Sequence, residues 1–324
     1  MLPVIFWMLL LMLFPFGNSF AREPLSVEAT PQQWLAQMAS AVRELNYRGR
    51  SILMNGDQLN SVEIVHAVFD GEPWERVIHL TGEPAEILRR GDRISCLHPD
   101  KLASFQASGP VAPHKPFLSP DASDRILRYY QLAKAGGGRV AGREVQRVDV
   151  MPRDRNRYGY QFWLDNASGL MLKSVTVDHD GRGLEVFEYV DIDVGINIPR
   201  EAFEPGKGLH WVPKPERKPE AAADKPAWQV GWLPSGFELT EYEMRRVGDV
   251  RVSTRVYSDG LSAFSVFLEK VAPDTQAEGS RTHGATAALS RRLAEPANDY
   301  LITVVGEIPM ETAMQIAMAV TLDN

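Results

Sequence analysis

The feature that most constrains the fold is a run of short, alternating apolar and polar segments between residues 47 and 194. Glycine-containing turn signals such as Asn55-Gly56 and Asp70-Gly71 separate many of the segments. This alternation is typical of an antiparallel meander. The predicted strands include 50–54, 62–69, 75–80, 86–90, 94–97, 157–165, 170–177 and 184–190.

One helical pattern precedes these strands, and a second interrupts them. Thr30, Pro31 and Gln33 form a helix start with a capping box. An apolar stripe at helical spacing follows, and it either packs into a core or lines a cavity for an apolar ligand. Its members are Trp34, Leu35, Met38, Ala41, Val42 and Leu45. A second helical pattern spans 124–132, and we expect Gly136–Gly138 to end it.

A proline-rich stretch, residues 206–226, predicts a linker between a large domain, 22–205, and a small domain, 227–324. In the small domain, Asp259-Gly260 predicts a type I′ hairpin turn before a strand whose face carries Phe264, Val266 and Leu268. We expect a loop over 273–287, a strand over 300–305 and a last helix. The buried face of that helix is predicted to hold Ala313, Ile316, Ala317 and Val320.

The first residues predict a targeting segment. Leu2–Phe16 is almost wholly apolar, and small residues at Ser19 and Ala21 favour cleavage of a signal peptide, residues 1–21, after Ala21. An uncleaved anchor is the alternative, although the run is short for the roughly 30 Å of a bilayer core. The formal net charge of −7 argues against a general nucleic-acid binder.

A search for catalytic chemistry finds no nucleotide-binding loop and no nucleophile elbow. Cys96 is the one cysteine, which excludes an intramolecular disulfide, and a nucleophilic pair with His98 is a weak alternative to a plain strand. Asp178-His179-Asp180 lacks the later glutamate of a calcium loop. We therefore expect no enzyme activity, no metal and no cofactor.

Two groups of arginines stand out on this acidic chain. They are Arg89, Arg90 and Arg93, and Arg153, Arg155 and Arg157. Because a guanidinium group can bind phosphate through two parallel hydrogen bonds, either group could hold an anionic headgroup beside an apolar cavity. The alternative is a solvated strand face with turn residues.

Longer runs of sequence carry a family resemblance. They are Arg157–Tyr160, Trp163–Asp165, Gly169-Leu170, Leu172–Ser174, Trp232–Phe237, Tyr257–Leu261, Phe264–Val266, Thr303–Glu307 and Pro309. In these runs the chain resembles the RseB/MucB family of periplasmic negative regulators of the envelope-stress sigma factor. The resemblance extends over most of the sequence after residue 21.

The resemblance implies an α+β fold, with a large unclosed antiparallel β-barrel and helices, as in lipoprotein carriers, and a smaller C-terminal α/β domain. It also implies a periplasmic, non-catalytic protein. Its partner would be the periplasmic domain of a membrane anti-sigma factor of the RseA/MucA type, which it protects from site-1 proteolysis. Lipopolysaccharide or a related lipid would release that partner. The resemblance leaves open whether the chain forms a homo-oligomer.

These expectations suggest two sets of site residues. Trp232, Phe237 and Tyr257 are predicted to bind an extended segment of the anti-sigma factor. Trp34 and Met38 are predicted to lie near the acyl chains of a lipid, and the first arginine group, Arg89, Arg90 and Arg93, to bind its phosphates. The rival hypotheses are a periplasmic lipid or lipoprotein carrier and an exported hydrolase.

Overall fold

In the part of the chain that the structure describes, the fold consists of a ten-stranded, a six-stranded and a two-stranded antiparallel sheet with three α-helices. The structure is a computed structural model that describes residues 28–91, 93–97, 122–206, 228–247, 250–272, 278–294 and 299–322. The first part of the chain contains α1 (Pro31–Glu44), β1 (Tyr47–Asn55), β2 (Gln58–Phe69), β3 (Glu72–His79), β4 (Glu86–Arg90), β5 (Arg93–Leu97), α2 (Ala122–Tyr129), β6 (Tyr130–Val140), β7 (Arg143–Pro152), β8 (Gly159–Asp165), β9 (Met171–Val177), β10 (Gly183–Val194) and a 3-10 helix (Arg200–Phe203).

The large sheet has ten strands in the order β5-β4-β3-β2-β1-β10-β9-β8-β7-β6. Two meanders therefore meet where β1 pairs with β10, and the outer strands β5 and β6 do not pair with each other. The predicted unclosed antiparallel barrel is confirmed. We refer to this sheet with α1 and α2 as the N-terminal domain.

Helix α1 packs against the large sheet, where it contacts β2, β6 and β7, and it also contacts α2. The predicted capping box is present, because the Thr30 hydroxyl accepts from the Gln33 amide and the Gln33 side chain accepts from the Thr30 amide. The apolar stripe of α1 contributes to the core of this domain. Its buried members are Trp34, Leu35, Met38 and Ala41, and Val42 and Leu45 pack at the edge.

The second part of the chain forms a smaller domain. It contains β11 (Trp228–Val230), β12 (Glu238–Val247), β13 (Val250–Ser258), β14 (Ala263–Val271), β15 (Gly279–His283), β16 (Thr286–Ala294), β17 (Asp299–Gly306), α3 (Met310–Met318) and β18 (Val320–Leu322). Six strands form a sheet in the order β12-β13-β14-β17-β16-β15, and β11 pairs with β18. Helix α3 packs on β16 and β17. We call this unit the C-terminal domain.

Three sequence expectations about secondary structure are wrong. Gly136–Gly138 do not end a helix, because α2 ends at Tyr129 and β6 runs through the glycines. The pairing of β6 with β7 outweighs the weak strand preference of glycine there. The expected loop over 273–287 contains β15 and the start of β16, and Val320 belongs to β18 rather than to the last helix.

The predicted signal peptide, residues 1–21, lies outside the described residues, and so does almost all of the predicted linker, residues 206–226. The domain boundaries at 22–205 and 227–324 therefore stay predictions. None of the helices that the structure describes is long and apolar enough to cross a membrane.

Candidate functional site

The two domains meet at the loop that connects β13 to β14. This loop, Asp259–Ser262, is not the predicted type I′ turn, because Gly260 has a positive φ of 101° whereas Asp259 does not. Instead, Asp259 Oδ1 accepts from the backbone amides of Leu261 at 2.9 Å and Ser262 at 2.8 Å. The carboxylate therefore shapes its own loop and directs it towards the N-terminal domain.

The other oxygen of the same carboxylate binds the N-terminal domain. Asp259 Oδ2 accepts from the hydroxyl of Tyr130 at 2.8 Å and from Nη1 of Arg157 at 2.6 Å. The side chains of Arg157 and Asp259 are both fully buried. We refer to Arg157, Asp259 and Tyr130 as the interdomain clasp.

Arg157 makes further contacts within the clasp. Its guanidinium group pairs with Asp154 at 3.0 Å and donates to the carbonyl oxygen of Ser235 at 2.5 Å. It also lies over the rings of Tyr129 and Phe237, each with its centroid 5.0 Å away. A buried charge is tolerated only when it is paired and hydrogen-bonded, and this arrangement meets that condition.

Burial raises the pKa of Tyr130 well above its ordinary value, and the charge of Asp259 raises it further. The phenol therefore remains a neutral hydrogen-bond donor at physiological pH. The clasp can hold two domains together, but its groups lie buried and offer no reacting atom to a substrate.

Apolar packing accompanies the clasp. Leu261, from the loop of the C-terminal domain, is 4% exposed and belongs to the core of the N-terminal domain. Gly236 has a φ of +91°, and a Cβ atom there would lie only 2.3 Å from the ring of Tyr129. The close approach of the two domains at this point therefore requires glycine.

A second interdomain contact joins the turn after β1 to the turn between β15 and β16. Oε1 of Glu185, in β10, accepts from the amide of Ala285 at 3.3 Å. A Cβ atom on Gly56 would lie 3.3 Å from the backbone nitrogen of Gly284, and one on Gly284 would clash with the side chain of Asn55. Among the residues that the structure describes, the domains therefore contact each other here as well as at the clasp.

Strand β12 offers an exposed sheet edge. It pairs with β13 on one side, and the described strands include no neighbour on its other side. Leu239 is 51% exposed and Tyr242 is 39% exposed. An edge strand with large apolar side chains can pair with an extended segment of another chain.

The residues predicted to bind the partner lie mainly in the core of the C-terminal domain. Phe237 and Tyr257 are buried and pack against Phe264, with ring centroids 5.1 and 5.2 Å away. Trp232 is partly buried at the margin of the same core. Phe237 lies at the interdomain junction under Arg157, while Tyr257 is in β13.

The residues predicted to bind lipid do not form one group. Trp34 and Met38 are buried in the core of the N-terminal domain, and Arg89 and Arg90 are neighbours in β4. Because neighbouring strand residues point to opposite faces, the two arginines are separated by the sheet. In register, Arg93 pairs with Arg90, but the side chain of Arg93 lies outside the described residues.

Arg89 and Arg90 have different surroundings. Arg90 donates to the carbonyl oxygen of Phe203 at 2.9 Å and to Glu204 at 3.0 Å, and lies 4.5 Å from the ring centroid of Trp74. These contacts tie the segment after β10 to β4. Arg89 shares the opposite face with Ile87, which packs against the main core, and donates to the carbonyl oxygen of Gly91.

The second arginine group, for which a phosphate site and a solvated face are the two hypotheses, does not form one cluster either. Arg153 and Arg155 are exposed, whereas Arg157 is the buried centre of the clasp. The sequence reasoning missed the roles of Arg157 and Asp259. An apolar Leu261 in a polar turn is the one sequence signal that could have indicated docking of this loop.

Other sequence candidates form ordinary turns. Oδ1 of Asp178 accepts from the amides of Asp180 and Arg182, which closes the turn between β9 and β10. In the part of the chain that the structure describes, no group of three or more His, Cys, Asp or Glu side chains could hold a metal ion. His98 lies outside the described residues, as does the side chain of Cys96.

Comparisons with known proteins match both parts of the chain. Residues 30–207 match a family model described as the MucB/RseB N-terminal domain, and residues 222–321 match one described as the MucB/RseB C-terminal domain. The chain is 32% identical to the sigma factor AlgU regulatory protein MucB of Pseudomonas aeruginosa, over 94% of each protein. It is 30% identical to the sigma-E factor regulatory protein RseB of Escherichia coli K12, over 90% of this chain and 91% of that protein.

A solved structure of the Pseudomonas aeruginosa MucA/MucB complex contains a chain similar to this one. The TM-score is 0.76 at 30% identity, and the match covers 91% of this chain and 100% of that chain. The similarity therefore extends over both domains.

Proposed function

The chain belongs to the MucB/RseB family, and from this premise we propose that it is a periplasmic negative regulator of an envelope-stress sigma factor. It binds the periplasmic domain of a membrane anti-sigma factor and keeps the site-1 protease away from it, so the sigma factor stays sequestered. The observation that carries the proposal is the similarity over the full length of a MucB chain solved in complex with MucA. A protein of this kind acts by binding and needs no catalytic group.

We assign the anti-sigma contact to the edge of β12 and the neighbouring end of β13. Leu239, Tyr242 and Val250 are 51%, 39% and 39% exposed. An added strand could form backbone hydrogen bonds along β12, while side chains of this kind supply apolar contacts. The predicted residues Phe237 and Tyr257 support this surface from the core, and Trp232 lies at its margin.

Calorimetric titration of the full chain with the periplasmic domain of the host's anti-sigma factor tests this assignment. Leu239→Asp places a charge in the proposed contact and should weaken binding at least tenfold, or about 1.4 kcal/mol. Leu59→Asp is the matched control, because Leu59 is 64% exposed on β2 and should leave affinity unchanged. Equal affinities for the two variants would refute the β12 contact.

Binding of the unaltered chain tests the function itself. One-to-one binding supports the regulator. Absence of binding, together with acyl chains retained by the purified protein, would refute it in favour of a lipid or lipoprotein carrier.

Release by lipopolysaccharide or a related lipid is the second part of the proposal. A lipid that binds only the free form lowers the affinity for the partner by linkage. The acyl chains would enter beside Trp34 and Met38, which requires these buried side chains to move. Arg89 suits the phosphates better than Arg90, because Arg90 already binds Glu204 and the Phe203 carbonyl.

Charge reversal distinguishes the arginines. Arg89→Glu should abolish release of the anti-sigma domain by lipopolysaccharide, while binding without lipid stays intact. Arg155→Glu, at an exposed arginine between β7 and β8, is the control and should release the anti-sigma domain like the unaltered chain. Normal release of Arg89→Glu would contradict the phosphate assignment.

Export to the periplasm with cleavage after Ala21 completes the proposal. The apolar run Leu2–Phe16 and the small residues before the cleavage position support it. Amino-terminal sequencing of the protein from a periplasmic extract should begin at Arg22. A start at Met1, with the protein in the membrane fraction, would instead indicate an uncleaved anchor.

A further inference from the structure

The second interdomain contact contains two carboxyl groups that the clasp does not use. Glu185 lies in β10 of the N-terminal domain. Glu307 follows Gly306, which pairs in register with Ala287, two residues after Ala285. Glu185 binds across the boundary to the amide of Ala285, and in register it pairs with Asn55, whose turn lies against Gly284. The carboxyl of Glu185 is therefore held at the domain boundary.

The backbone of Glu307 is fixed beside the clasp loop. Its amide donates to the carbonyl oxygen of Ala263 at 3.1 Å, and its own carbonyl oxygen accepts from the hydroxyl of Ser262 at 2.6 Å. Burial raises the pKa of Glu307 to about 8, and the nearby charge of Glu185 acts in the same direction. Burial also raises the pKa of Glu185, while the hydrogen bond from Ala285 lowers it.

The other titratable groups around this contact are mostly acidic or phenolic. Tyr160 interacts with Glu307, Asp259 and Glu185, and Tyr158 interacts with Glu311, Asp178 and Glu185. His283, at the end of β15, lies against Gly56. The buried cation of this region, Arg157, already pairs with Asp259 and Asp154.

We propose that Glu185 and Glu307 form a proton-dependent latch, so that separating the two domains at this contact releases a proton and rising pH favours the open arrangement. In the closed arrangement the two carboxyl groups, both half-buried, share the domain boundary, where like charges repel and at least one proton is retained. In the open arrangement water solvates both, and both ionise. The inference concerns the chain alone and holds whether or not the proposed function is correct.

The linkage relation fixes the direction and the pH window. In the closed arrangement burial raises the pKa of Glu307 to about 8, and exposure returns the pKa to its ordinary value of 4.5. The stabilisation is therefore complete below about pH 4.5 and is lost as the pH rises through about 8. In between, the ratio of open to closed molecules should rise by up to about tenfold per pH unit, and it should level off above pH 8.

Distance measurement between two spin labels tests the latch in the full chain. The labels replace Arg139 in β6 and Arg246 in β12, which are both exposed, in a Cys96→Ser background. Between about pH 5 and pH 9 we expect a longer-distance population to grow while the far-UV circular dichroism stays constant. In the double variant Glu185→Gln/Glu307→Gln, the ratio of open to closed molecules should change by no more than about threefold over this pH range, because amides do not ionise.

Two comparisons make the result decisive. Glu201→Gln, at an exposed glutamate, should respond like the unaltered chain. The double variant keeps His283, so an undiminished response in it would assign the effect to other groups and overturn the proposal. A distance distribution of the unaltered chain that does not change with pH would overturn it as well, as would simultaneous loss of the circular dichroism signal.

Discussion

Removing the carboxylate of the clasp should destabilise the protein strongly. Asp259→Ala leaves the fully buried Arg157 with Asp154, whose side chain is 31% exposed, as its remaining carboxylate partner among the described residues. It also removes the acceptor of the Tyr130 hydroxyl and of the Leu261 and Ser262 amides. Breaking a buried ion pair from one side costs about 3–5 kcal/mol, and the lost loop hydrogen bonds favour the upper half of that range.

Urea unfolding at neutral pH measures this cost. We expect the free energy of unfolding to fall by about 3–5 kcal/mol for Asp259→Ala. The double variant Arg157→Met/Asp259→Ala should recover part of the loss, because no uncompensated buried charge remains. Glu188→Ala is the control: it removes a partly exposed pair with Lys173 at 2.8 Å and should cost about 0–1 kcal/mol. A cost for Asp259→Ala no larger than that of the control would refute the reasoning.

Three further predictions use the same unfolding measurement. Leu261→Ala should cost about 2–5 kcal/mol, because the side chain lies in the core of the other domain, whereas Leu59→Ala should stay within about 0.5 kcal/mol; equal costs would contradict the docking of the loop. Thr30→Ala should cost about 0.5–2 kcal/mol by removing the cap of α1, and no change would mean that the capping box does not stabilise the helix. Burial raises the pKa of Glu307 to about 8 in the folded chain, so the free energy of unfolding should fall as the pH rises from about 5 to 8. This fall should be steeper than in Glu307→Gln, by up to about 1.4 kcal/mol per pH unit. Parallel curves for the two proteins would contradict the reasoning.

Features set by neighbouring residues could be predicted from the sequence. The strands 86–90 and 170–177 agree closely with β4 and β9, and Asp70-Gly71 forms a turn in which both residues have positive φ. The capping box of α1 was also predicted in full. In each case the determining interactions extend over only a few residues, and the alternating pattern identifies the buried face of a strand.

Features set by distant residues could not be predicted in this way. Arg157 and Asp259 are 102 positions apart, and neither position alone indicates burial. The same limit explains the misinterpretation of Gly136–Gly138, because the pairing of β6 with β7 overrides a local signal that favours a helix end. The family resemblance gave the fold class correctly, but it could not tell core aromatic residues such as Tyr257 from surface ones.

Protection of the anti-sigma factor from its site-1 protease is the central claim, and a cleavage assay measures it most directly. The periplasmic domain of the host's anti-sigma factor is incubated with the activated protease, with and without the full mature chain. The account predicts that a stoichiometric amount of the chain slows cleavage at least tenfold, and that Leu239→Asp protects less than Leu59→Asp. An unchanged cleavage rate at a chain concentration that saturates the anti-sigma domain would contradict the account.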